Sequence, residues 1–101
     1  METKPIDWKY KINALNPCSN NIHSEYDSIL FLAHDKAVPH ILYAYLNKCK
    51  DLKCDYNHIK TVELLIERIK DYQSNIDSKI PDTDLPCEIE RCILGKGLEI
   101  S

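Results

Sequence analysis

The chain has 101 residues, 44% of them hydrophobic, which is enough apolar material to close a core without metal ions or disulfides. Only two glycines and five prolines exclude collagen-like and linker-rich chains and argue against an all-β protein, which draws on glycine at many tight turns. With 13 basic residues against 16 acidic ones and a formal charge of −3, the basic surplus that phosphate neutralisation demands is missing, so nucleic acid is not an expected partner.

From Met1 to Pro5 the chain leads into no apolar run of signal-peptide length, and no stretch reaches the roughly 18 apolar residues of a membrane span. The expectation is a cytoplasmic protein with no membrane partner. Five cysteines are an odd number, so a closed disulfide framework would leave one over, which points to reduced thiols.

Residues 6–12, Ile-Asp-Trp-Lys-Tyr-Lys-Ile, alternate apolar and polar with period two and read as an extended segment. Its expected partner is residues 97–100, the same segment of a second chain in a homodimer, or the surface of its own domain. Residues 16–21, Asn-Pro-Cys-Ser-Asn-Asn, are loop chemistry. Ser24 and Asp27 approximate a capping box, and Tyr26, Ile29, Leu30 and Ala33 then mark the apolar face of a first helix reaching His34.

Asp35 is placed to cap a second helix with Pro39 in its first turn and Ile41, Leu42, Tyr45, Leu46 and Cys49 on its buried stripe. Asn57 is placed to cap the longest helix, whose Ile59, Val62, Leu65, Ile66, Ile69 and Tyr72 recur at three- and four-residue spacing. Residues 74–86 read as a loop. A short last helix over residues 85–94 has Pro86 near its start, Ile89 and Ile93 inward and Gly95 as its terminator. The expected fold is therefore mainly α, a compact bundle of about four helices with an extended N-terminal segment. All of it forms a single domain, with residues 1–22 as arm and loop, 23–94 as bundle and 95–101 as tail.

No stretch carries a catalytic or cofactor motif. Cys49, Cys54 and His58, with Cys87 and Cys92, contain enough sulfur and nitrogen for a zinc ion, but their spacings are wider than the usual knuckles, and Cys87 and Cys92 fall about 140° apart on a helix. His34-Asp35 is similar to the paired ligands of metal-dependent phosphohydrolases of the HD type, with His23, His40 and His58 as further candidates. A histidine ending one helix beside an aspartate capping the next is the simpler account. Cys87 stands in the first turn of a helix, where thiol pKa values fall, yet Asp82, Asp84, Glu88 and Glu90 oppose that effect. A helix-turn-helix is disfavoured because Lys60, Arg68 and Lys70 alternate with Glu63, Glu67 and Asp71.

Two features suit protein binding. Trp8 and Tyr10 are residue types enriched at interface hot spots, and residues 71–90 hold six carboxylates and one lysine. The functional expectation is a small, non-enzymatic module of the inhibitor, immunity or adaptor type, needing no cofactor. It presents Asp77, Asp82, Asp84 and Glu88, with Trp8 and Tyr10, to another, basic protein. The alternative is a small metal-dependent enzyme or metal-binding domain using His34, Asp35 and the cysteines.

Overall fold

Backbone hydrogen bonding divides this chain more finely than its apolar periodicity suggests. The computed structural model describes residues 4–97, and among them are three helices and one two-stranded antiparallel sheet. The four-helix bundle is thereby corrected. In chain order the elements are β1 (Asn13–Leu15), β2 (Ile22–Ser24), α1 (Val38–Asp51), α2 (Tyr56–Asn75) and α3 (Pro86–Cys92). They fall into two compact units, one formed by Met1–Leu30 with Asp82–Ser101 and the other by Phe31–Pro81.

In the first unit, the period-two pattern of residues 6–12 does not become a strand. Asp7 is buried, and its Oδ1 accepts the backbone N–H groups of Lys9 (2.8 Å) and Tyr10 (2.9 Å), which curls the chain locally. The strand comes just after, where β1 pairs with β2 in the register Asn13 with Ser24, Ala14 with His23 and Leu15 with Ile22. Residues 98–100, one of the expected partners, lie outside the described residues. The loop of residues 16–21 forms as expected but also turns the chain into a hairpin. Asn16 Oδ1 accepts from the Cys18 and Ser19 amides, and Asn20 takes a positive φ of 63°, a conformation asparagine tolerates.

The first expected helix is absent, although its capping contacts exist. Ser24 N–H donates to Asp27 Oδ1 (3.0 Å) and Tyr26 N–H to Ser24 Oγ (3.3 Å), but no helix follows them. The reason is the Leu30 amide. A helix needs it to donate to the Tyr26 carbonyl, and instead it donates to Asp7 Oδ2 at 2.9 Å. His23, then Ser28 and the Ser24 amide, all bond to Asp27 and hold its carboxyl down to about 2, so the turn is kept as a charged cap on itself.

In the second unit, α1 and α2 form an antiparallel pair around Leu46, Val62 and Ile66, with Leu42 and Ile59 packed against them. The periodicity of α2 was legible, and Val62 and Ile66 are each only 4% exposed. Its cap lies two residues before the expected Asn57, because Asp55 Oδ1 accepts the His58 amide at 2.9 Å. On α1 the stripe is rotated from expectation: Val38, Leu46 and Cys49 are buried, whereas Ile41 and Tyr45 are exposed. Asp35 does not cap this helix directly. Its Oδ1 accepts the Ala37 amide at 2.7 Å, tightening the turn from which α1 starts. The unit closes on itself where Asp35 and Lys79 bridge in parallel, with Gln73 Nε2 donating to the carbonyls of Ala33 and Asp35.

Helix α3 is shorter than expected and Ile93 is exposed, correcting its inward placement. Gly95 sits at φ +68°, and a Cβ there would come within 2.9 Å of Trp8 Cζ3, so any side chain would be both strained and obstructed. Among the described residues no helix is long and apolar enough to cross a membrane.

Ile66→Ala should lower unfolding free energy by roughly 2–5 kcal/mol in urea titration, as a buried aliphatic truncation does. A loss no larger than that of an exposed position such as Glu67 would place the core elsewhere. Asp7→Ala strands buried amides and should cost about 1–3 kcal/mol, with faster hydrogen exchange at Leu30. Unchanged Leu30 exchange would show that the amide has another acceptor.

Candidate functional site

The loop before α3 carries most of the acidic residues singled out above. Pro81 and Pro86 bracket it, and Leu85, in the extended region, starts α3 without a side-chain cap of its own. Glu88 lies in the first turn, where a carboxylate is favoured by the helix dipole. The result is a convergence of Asp82, Asp84 and Glu88, each offering one oxygen, with all three oxygens within 4.8 Å of one another. Asp82 and Asp84 are exposed and Glu88 is half-buried.

Lys9 enters this cluster from the N-terminal segment. Its Nζ donates to the Asp82 carbonyl oxygen at 2.9 Å and pairs with Glu88 Oε2 at 3.2 Å. Partial burial works against the charged ammonium, but the hydrogen bond and charge of Glu88, with Tyr10 and Asp82 behind them, outweigh it and hold the Lys9 pKa above its ordinary value. Lys9 sets an ammonium against the three carboxylates of this cluster. Oxygen-only donors of this kind suit hard cations, and Lys9 already supplies a cation there.

The other expected site residues are distributed differently. Tyr10 follows Lys9, whose ammonium lies 5.8 Å from its ring centroid. Trp8 is half-buried, donates its indole N–H to the Pro5 carbonyl, packs on Gly95 and accepts from Arg91 Nε at 3.1 Å through its own carbonyl. Asp77 belongs to the second unit, where its Oδ2 lies 2.9 Å from His34 Nδ1. Sequence reasoning missed Lys9 and Asp7. Both read as the polar side of a strand, and only the amides that donate to Asp7 and the acceptors around Lys9 show otherwise.

Of the residues proposed for a metal centre, His34 is bonded to Asp77 and Asp35 to the Ala37 amide. Among the described residues, Asp82, Asp84 and Glu88 are the one group with three donors as close as 4.8 Å; His34, Asp35 and the cysteines form no such set. Cys18 and Cys87 are exposed, Cys54 and Cys92 half-buried and Cys49 buried, all as free thiols. Comparison with family models, characterised proteins and solved structures found no match.

The Lys9 contact gives a pH signature. A lysine raised on folding contributes stability that is complete below the unfolded value of about 10.5 and is lost as pH rises through the higher folded value. Heteronuclear NMR of the Lys9 ammonium should find its midpoint above 10.5, and Glu88→Gln should bring it down. A midpoint indifferent to Glu88→Gln would remove the ion pair from the account.

Proposed function

We propose that this protein is a non-enzymatic module that docks a basic partner protein through the carboxylates of Asp82, Asp84 and Glu88. The observation that carries this reading is the convergence of those three oxygens within 4.8 Å on a loop-and-helix edge that the fold leaves at least partly exposed. Three like charges held this close repel one another, and an arriving cationic side chain relieves that repulsion. Lysine or arginine from a partner would do there what Lys9 does in part already. Tyr10, tied beside the cluster by Lys9, adds an aromatic surface of the kind that anchors interfaces. Asp77 and Trp8 fit less well as direct contacts, because His34 holds the first and the protein's own packing holds the second.

The metal-dependent alternative draws no support from His34 and Asp35, which bond to Asp77 and to the Ala37 amide.

The test has two arms of opposite sign. A partner is first captured from native lysate on the wild-type protein and identified. Replacing Asp82 and Asp84 by Asn and Glu88 by Gln should then slow association by roughly tenfold or more at low ionic strength and flatten its salt dependence, as the loss of electrostatic steering does. Lys9→Gln removes the internal cation and should speed association with the same partner. Equal on-rates for all three proteins at low and high salt would rule out the acidic cluster as the docking surface.

A further inference from the structure

The end of α1 places two cysteines against each other by backbone geometry. The Cys54 amide donates to the Cys49 carbonyl at 3.0 Å and the Lys53 amide to the Lys50 carbonyl at 3.1 Å, with Lys53 at φ 57°. These two bonds and the left-handed residue define a Schellman termination, in which the side chains at the positions of Cys49 and Cys54 meet across the turn. Apolar residues usually make that contact. Here the two positions hold thiols, Cys49 buried and Cys54 half-buried. One helical turn before Cys49, the Tyr45 hydroxyl lies 3.0 Å from His58 Nε2, with the two rings edge to face.

We propose that Cys49 and Cys54 are a dithiol site that hydrogen peroxide closes into a disulfide. Cys54, the more accessible sulfur, attacks as thiolate on the peroxide; an S–O bond forms, the O–O bond breaks, and the departing oxygen leaves as water after protonation. Cys49 then attacks the Cys54 sulfur, forming the S–S bond and expelling the hydroxyl as a second water. Two thiols have lost two protons and two electrons, and one hydrogen peroxide has taken them up to become two waters.

Burial, then the neighbouring Cys49, pushes the Cys54 thiol up, so the first step draws on a small thiolate fraction and is the slow one. Closure follows between two groups that the turn holds together.

The test is treatment of the folded protein with hydrogen peroxide, followed by peptide mapping and by trapping of sulfenic acid with a dimedone-type reagent. The expected product is a Cys49–Cys54 link with loss of two hydrogens, and little trapped sulfenic acid. Cys49→Ser should let sulfenic acid accumulate on Cys54, and Cys54→Ser should abolish the link. Oxidation that links other cysteines first, or that yields the same pairings in urea as in the folded protein, would overturn the site.

Discussion

Both oxygens of Asp7 are occupied by backbone amides, those of Lys9, Tyr10 and Leu30, and the first unit is arranged around that fact. A chain with two three-residue strands leaves many amides without a ladder partner, and buried amides must find an acceptor. Side-chain oxygens provide it throughout. Asn16, Glu25, Asp27, Asp35 and Asp55 each accept from a backbone N–H nearby, and Glu25 reaches across thirteen residues to Ile12. That bond is the leading reason the Glu25 carboxyl sits below its ordinary value.

This use of carboxylates changes what the acidic composition means. Asp7, Asp35 and Asp55 shape turns and helix starts, so part of the negative charge is a device for satisfying backbone. The cluster before α3 differs in kind: Asp82, Asp84 and Glu88 converge, with one oxygen of each within 4.8 Å of the others. Placing like charges together has an electrostatic cost, which Lys9 lowers. The docking proposal rests on that difference.

The second unit shows the complementary case, in which helix packing sets where polar groups meet. The pairing of α1 with α2 brings Tyr45 to His58, thirteen residues apart, while the Schellman turn between the helices brings Cys54 back onto Cys49. One short connection thus assembles four chemically capable side chains beside a core of Leu46, Val62 and Ile66.

What the sequence by itself determined is the part governed by local periodicity and local caps: α2 with Val62 and Ile66 inward, the presence of α1 and α3, and the turn at residues 16–21. Three- and four-residue spacing is a property of neighbours, and a helix obeys it wherever enough apolar surface is covered. Tertiary structure decided the rest. Ser24 and Asp27 carry a sound capping pattern, yet no helix follows, because the Leu30 amide is taken by a carboxylate twenty-three positions away, and nothing in residues 24–34 records that. The same holds for the candidate sites. The acidic surplus of residues 71–90 was visible in the composition, but its sorting into a cluster at Asp82, Asp84 and Glu88 and a separate Asp77 pair with His34 depended on contacts between distant segments. The spacing of Cys49, Cys54 and His58 was equally visible, whereas the turn that brings Cys54 back onto Cys49 and the pairing of Tyr45 with His58 belong to geometry alone.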